Sequence, residues 1–138
     1  MIRRAGPSEM PAVLDMRREV FMEEQGVAEA DERDGRDDDA IHLIAFVGDA
    51  AVGTARLLIA GSIGKIGRVA VLKSHRGTGL GQGLINAALG ELQSLGVEQA
   101  KLGAQTHAIG FYKALGFEAT GPEYMDAGIP HRDMIRIL

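Results

Sequence analysis

Arg76 opens a run in which glycine falls on every second position: His75-Arg76-Gly77-Thr78-Gly79-Leu80-Gly81-Gln82-Gly83-Leu84. That spacing suits the capture of an anion. A helix start leaves about four backbone N–H groups without partners inside the helix and carries roughly half a positive charge. Glycines remove the side chains that would hold a phosphate away from those donors, and an arginine adds a permanent cation beside them. Hydrogen bonds to a charged group contribute on the order of 1.5–3 kcal/mol each, so a few such amides suffice to anchor the pyrophosphate of a nucleotide-like cofactor without a metal.

Such a turn works only between a strand and a helix, and both are legible. Ile66-Gly67-Arg68-Val69-Ala70-Val71-Leu72 is short and rich in β-branched residues, as in a buried strand. Beyond the glycines, Leu84, Ile85, Ala88, Leu89, Leu92 and Leu95 recur at helical spacing, predicting an amphipathic helix over 79–95 that Gly96 ends. Two familiar phosphate motifs fail here. The nucleotide-hydrolase loop needs G-x-x-x-x-G-K-[ST], whereas Gln82 stands five places after Gly77; the dinucleotide fingerprint G-x-G-x-x-G opens a helix after a first strand, not in mid-chain.

Composition narrows the classes. A chain of 138 residues is expected to form one domain, burying roughly two-thirds of its unfolded surface. With 15 Lys and Arg against 19 Asp and Glu, and no basic tract interleaved with aromatics, nothing favours a nucleic acid partner. No apolar run is long enough to cross a membrane and no basic leader precedes an apolar segment, so a cytoplasmic protein without membrane contact is expected. The absence of cysteine removes disulfides, thiol nucleophiles and thiolate metal sites. Aligning Gly35 with the glycine of a calcium loop puts Asp34, Glu32 and Ala30 upstream but Ile41 where the closing glutamate belongs. His42, His75, His107 and His131 lack ligand spacing, so no metal is expected.

In chain order, Ile2–Arg4 reads as a strand and Ser8–Glu24 as a helix, followed by a solvated or substrate-facing acidic loop over 31–39. Ile41–Val47 and Ala51–Ala60 form a hairpin about Gly48-Asp49, and a turn over Gly61–Gly64 leads into the Ile66 strand. Glu98–Ala104 should lie parallel to that strand because a crossover helix separates them. A short helix over Ala108–Leu115 ends at Gly116, and short strands follow near 117–121 and 132–138. An exposed edge strand in this tail would allow two copies to pair as a homodimer.

Arg76-Gly77-Thr78-Gly79-Leu80-Gly81 resembles the Q/R-x-x-G-x-G/A signature of the GNAT superfamily of acyl-CoA-dependent N-acetyltransferases. Phe111-Tyr112-Lys113-Ala114-Leu115-Gly116-Phe117 is similar to that superfamily's FY-x-x-LGF segment, and Val20–Val27 with Ala127–His131 extends the likeness to small bacterial members of the YjcF/ElaA type. The resemblance spans nearly the whole chain. It implies an α+β fold: a mixed, mostly antiparallel sheet of six to seven strands with flanking helices, whose two central parallel strands splay to admit the cofactor. It implies acetyl-CoA as cosubstrate, with the pantetheine arm along Val69, Ala70 and Val71 and the pyrophosphate on Arg76, Gly77, Thr78, Gly79, Leu80 and Gly81. Tyr112 then lies near the thioester sulfur, and a phenol of pKa about 10 is a suitable proton donor to a departing thiolate.

Attack needs a neutral amine, and an amine of pKa about 10.4 is neutral in roughly one molecule in 2,500 at pH 7, a deficit of about 4.6 kcal/mol. A base lowers that barrier. His131 leads, because imidazole accepts a proton near neutrality and its Gly-Ile-Pro-His segment resembles one supplying a catalytic histidine in some relatives. Glu24 and Glu23 are rival bases, while Arg68, Gln105 and Glu24 are candidates for contact with the acceptor. Arg68 interrupts an apolar strand, so its charge needs a ligand or an internal partner such as Glu24 or Asp126. The acceptor is expected to be a primary amine of a small molecule or peptide. Residues 31–39 point toward a cationic acceptor, whereas Arg68 and Arg17 point toward a carboxylate. A CoA-binding sensor or interaction module without turnover would share the cofactor site, whereas a nucleotide-binding or structural domain would not prefer CoA.

Overall fold

Side chains of a strand alternate between two faces, and a sheet with apolar residues on both must be covered twice. The computed structural model, which describes Met1–Leu138, shows both covers. Strands β1 (Ile2–Arg4), β2 (Ile41–Val47), β3 (Ala50–Ala60), β4 (Ile63–Val71), β5 (Gln99–Gln105), β6 (Glu118–Asp126) and β7 (Ile129–Ile137) form one seven-stranded sheet in the order β1-β2-β3-β4-β5-β7-β6. Only the β4–β5 pair is parallel.

Helix α3 (Leu80–Ser94) crosses one face, burying Leu84, Ile85, Ala88, Leu89 and Leu92 against Leu43, Ala45, Leu57, Ile66 and Leu102. On the opposite face, helix α1 (Met10–Arg17) sets Val13 and Met16 on Ile44, then widens into a π-type turn over Arg18–Glu24. Leu43 and Ala45 against α3, with Ile44 between them against α1, are the period-two signature of a strand buried on both sides. Short helices α2 (Glu29–Glu32) and α4 (Ile109–Ala114) complete the covers.

The parallel pair is joined only at its start. Ile63, Gly64 and Lys65 pair with Gln99, Ala100 and Lys101, after which the ladder stops although β4 continues to Val71 and β5 to Gln105. A bulge accompanies the parting: Gly67 faces Arg56 and Ala70 faces Thr54, so Arg68 and Val69 stand together against Ala55. Arg68 takes up the extra residue in left-handed backbone, φ 50°, and a bulged strand bends. The β5-facing edge of β4 from Ile66 onward is therefore open.

Three expectations are corrected. Gly64, read as part of a turn, lies within β4; it is glycine because Leu92 of α3 fills the space above it, with a Cβ there meeting Leu92 Cδ1 at 2.8 Å. The tail strands are nine residues each and form a hairpin about Ala127 and Gly128, both at positive φ (52° and 76°), the backbone of a tight two-residue turn. Pro122 and Gly121 suggest a break in the sequence, yet β6 is an edge strand whose ladder skips from Thr120 to Tyr124, where a missing N–H costs nothing. Proline and that irregularity also blunt the edge on which pairing of two copies was expected. Third, 31–39 is not simply a solvated loop: it holds the end of α2, a 3₁₀ turn over Asp37–Asp39 and the buried Glu32.

Replacing Gly64 by alanine drives a methyl into the fully buried Leu92 side chain, and such overpacking destabilises by about 1–3 kcal/mol. The urea midpoint should fall accordingly, with Leu92→Val in the same chain recovering part of the loss.

Candidate active site

The glycine run leaves β4 through a 3₁₀ turn over Lys73–His75 and enters α3 with Gly79 as its left-handed first cap (φ 86°). Gly77 is also left-handed (φ 75°), and a Cβ built on either glycine meets nothing within 4 Å. The space before them is open. Gly83 N–H bonds back to Gly79 O at 2.9 Å, so the preceding amides of the helix start have no helical acceptor behind them. Thr78 Oγ1 donates inward to His75 O (2.6 Å) and braces the turn. Arg76 donates Nε to Val71 O (2.9 Å) and Nη2 to Glu24 Oε1 (2.9 Å), with Nη1 in an ion pair with Oε2 at 2.8 Å. That pair holds the Glu24 carboxyl below the usual carboxylate range.

Where β4 and β5 part, a cleft of about 280 Å³ opens. Its walls come from the π-type turn (Phe21, Gln25), the bulge (Gly67, Arg68, Val69), the β5 edge (Gly103, Gln105), α4 (Tyr112) and the tail hairpin (Tyr124, Asp126, His131). The turn and the cleft are adjacent: Phe111 Cζ lies 3.7 Å from the position of a Cβ on Gly81. Its neighbour Tyr112 packs edge-on to Phe111 and Phe117, at 5.1 and 6.0 Å between centroids. Burial pushes the Tyr112 phenol up from its ordinary pKa, keeping the proton on its oxygen.

Strand register lines up the opposite wall. Gln105, His131 and Tyr124 are direct partners across β5, β7 and β6 and share one face. His131 stacks on Tyr124, with centroids 5.9 Å apart and planes at 22°. His131 Nδ1 lies 2.7 Å from Ile129 O. A carbonyl can only accept, so Nδ1 carries the hydrogen and the lone pair of the neutral ring is on Nε2. Tyr124 donates its hydroxyl to Asp133 Oδ1 (2.8 Å), and burial followed by that carboxylate pushes the phenol up to about 12. Gly103 makes room for this ring: a Cβ there would lie 2.5 Å from the Tyr124 hydroxyl.

The remaining wall rests on buried ion pairs. Arg17 and Glu32, 1% and 3% exposed, bond to each other, and Arg17 also donates to Asp37 (2.7 Å). Arg56, 5% exposed, bonds Asp34 (2.7 Å) and Asp37 (3.2 Å). Arg68 Nη2 donates to the carbonyls of Asp31 (3.2 Å) and Glu32 (3.1 Å) and to Asp34 (3.4 Å). The Arg56 bond holds Asp34 well below the carboxylate range despite burial; for Asp37, burial raises the pKa but Arg17 and Arg56 outweigh it. No group of three or more His, Cys, Asp or Glu is placed to hold a metal ion.

Of the residues singled out by sequence, Tyr112, His131, Arg68, Gln105 and Val69 meet in the cleft. Ala70 is buried in the ladder with β3, and Val71 accepts from Arg76. Glu24 sits on Arg76 and not in the cleft wall, and Glu23 lies 3.7 Å from Arg18. Arg17 is enclosed by Glu32 and Asp37, so it offers nothing to an acceptor. Arg68 finds its partners in 31–34, not in Glu24 or Asp126. The amide of Gln105 is engaged by Gln25 (3.1 Å) and His107 (2.7 Å). Sequence reasoning missed Gln25, Gly103 and Tyr124 as cleft residues, and named Asp126 only as a partner for Arg68. The signal for Tyr124 was the pattern Tyr-Met-Asp-Ala-Gly-Ile-Pro-His, a two-residue hairpin that pairs it with His131.

The acetyltransferase (GNAT) domain model matches residues 7–138. The chain belongs to the GNAT acetyltransferase family. This GNAT protein is 36% identical over 122 residues to the uncharacterized N-acetyltransferase YjcF of Bacillus subtilis, covering 88% of this chain and 87% of that one. Among solved structures it resembles an acyl-CoA N-acyltransferase from Pseudomonas aeruginosa (TM-score 0.87, 32% identity, 99% and 97% of the two chains). It likewise resembles Escherichia coli ElaA (TM-score 0.86, 32% identity, 99% of each chain). GNAT proteins transfer an acyl group from acyl-CoA to an amine, and this chain has the GNAT fold with its splayed parallel pair. No helix is long and apolar enough to cross a membrane.

Removing Arg17 strands the buried Glu32 charge. Arg17→Ala should therefore lower the urea-derived stability by about 3–5 kcal/mol at neutral pH. Asp34 and Asp37 have lowered folded pKa values, so their contribution is complete above the unfolded value of about 3.9 and is lost as pH falls through the folded ones. Stability from this network should be flat between about pH 5 and 7 and decline below about pH 4 in an acid titration followed by circular dichroism.

Proposed function

We propose that the protein transfers an acetyl group from acetyl-CoA to a primary amine by direct attack, both substrates lying together where β4 leaves β5. One observation carries this reading: Tyr112 and His131, a candidate acid and a candidate base, line the same cleft beside the glycine turn. The turn fits a pyrophosphate, since the glycines leave open space before the helix amides and Arg76 stands next to them. Glu24 is the stand-in anion on Arg76, and a bound pyrophosphate would take its place. The open β4 edge beside Val69 and Val71 supports a pantetheine arm adding to the sheet as a strand would. The cosubstrate supplies the acyl thioester.

His131 Nε2 takes the proton from the acceptor's ammonium, leaving the nitrogen lone pair free to attack. Its ring is held by the Ile129 carbonyl and by Tyr124. Tyr112 gives its proton to the sulfur as the carbon–sulfur bond breaks, and the second proton, shed by the attacking nitrogen as it becomes the amide, restores the phenol. No cysteine is present to carry the acyl group on a thiol, in keeping with direct transfer. Glu24, held as a weakly basic carboxylate by Arg76, is assigned to the turn and not to the base role. A cytoplasmic setting and a small-molecule or peptide amine are part of the proposal. A CoA sensor would bind the same ligand without turnover.

Calorimetric titration with acetyl-CoA, CoA, ATP and NAD tests the cofactor. Binding of acetyl-CoA and CoA alone is expected, with Gly79→Glu weakening it at least about tenfold, or 1.4 kcal/mol. Equal binding by the variant would remove the turn from the site. In assays of thiol release with primary amines, Tyr112→Phe should lower kcat by about 100-fold while leaving cofactor binding in place. Because the base works deprotonated, kcat/KM should rise with pH in the wild type, and in His131→Gln the activity at neutral pH should fall and the rise should move up toward the pKa of the acceptor amine itself, about 10.4 for an ordinary primary amine. The falling limb, set by Tyr112, should lie above the ordinary tyrosine range.

A further inference from the structure

The acidic stretch 31–39 suggests a cationic acceptor only while its charges are counted as free. In the fold Glu32, Asp34 and Asp37 are taken by Arg17, Arg56 and Arg68. What remains next to the cleft is a polar recess of about 250 Å³ that shares Lys65, Gly67, Arg68, Asp31 and Asp126 with it. Leu58 is its single apolar residue. Within it, Lys65 and Arg36 form no salt bridge. Arg68 Nε is buried and makes no hydrogen bond, the Glu32 carboxylate lying 3.9 Å away, and its Nη1 makes none either. Burial, and then the neighbouring Arg56 charge, pull the Arg68 pKa down, so the positive field around it is not fully balanced from within. Asp31 and Asp126 also face the recess, but both are exposed and screened by water, whereas Arg68 Nε is shielded from it.

We propose that the acceptor is an amine that also carries a carboxylate, which binds in this recess to Arg68, Lys65 and Arg36 while the amine reaches His131. A planar carboxylate matches the fork of a guanidinium, and an anion here gives the unused Nη1 of Arg68 an acceptor. The orientation of the amine rests on the acyl-transfer reading; the anion site does not.

The test uses γ-aminobutyrate, butylamine and putrescine, which share a carbon chain and differ in carrying a carboxylate, no charge or an ammonium at the far end. Shorter and longer members of each series set the reach. Acetyl-CoA-dependent thiol release gives kcat/KM, and calorimetry on the protein without cofactor gives binding. The carboxylate series should exceed both others by at least tenfold. Lys65→Glu, at an exposed position without a bond to lose, should reduce that preference at least tenfold, with a thermal melt showing the variant folded. Equal or better use of the neutral or ammonium series, or an unchanged preference in Lys65→Glu, overturns the proposal. Should no acceptor be turned over, calorimetry decides: preferential binding of the carboxylate series upholds the recess, and its absence refutes it. Failure to bind acetyl-CoA would count against the acyl-transfer reading alone.

Discussion

The buried pairing of Arg17 with Glu32, and of Arg56 and Arg68 with the carboxylates and carbonyls beside it, is the constraint on which the site depends. These contacts tie 31–37 to α1, to the middle of β3 and to the bulge of β4. Removing charges from water is expensive, and a well-packed apolar cluster in the same place would often be as stable or more so. The network's contribution is directional. A guanidinium with several fixed acceptors admits few arrangements, so the segment that walls the cleft is held at one distance and one angle. It also explains how Arg68 persists with left-handed backbone, since three acceptors determine where its side chain must end.

The rest of the site follows from strand geometry. The bulge bends β4 away from β5 after three residue pairs, and the gap exposes backbone that an ordinary sheet would hide. Across the gap, alternation puts Gln105, His131 and Tyr124 on the cleft face, while Met134, three residues after His131, is fully buried against the α3 side. Tyr112 reaches the same space from α4, whose Phe111 touches the start of α3. The two motifs that resembled a known family in the sequence are thus neighbours in space.

Local signals carried most of this. The α3 stripe, the Gly96 stop, the β2–β3 hairpin and the crossover to β5 need only periodicity and turn chemistry, and all are present in the fold. The errors arose where a residue's reason lies far away in the chain. Gly64 looks like a turn until Leu92 is seen above it, and Gly103 is silent until Tyr124 crosses it. Residues 31–39 look solvated because their arginine partners come from 17, 56 and 68. The strand read near 117–121 runs on to Asp126 because β6 is the outermost strand, which nothing local reveals. Arg68 was legible as a charge needing company, but not which company.

The turn at Ala127 and Gly128 has a bearing on how this sequence can change over time. Loops are ordinarily where chains gain and lose residues without harm. Here the two-residue turn sets the register of β7 against β6, and register decides which side chains face the cleft. A single residue gained or lost between Asp126 and Ile129, if absorbed by sliding β7, would turn His131 toward α3 and Met134 toward the cleft. The hairpin tip, exposed and distant from the core, is therefore a place where length is fixed more tightly than residue type.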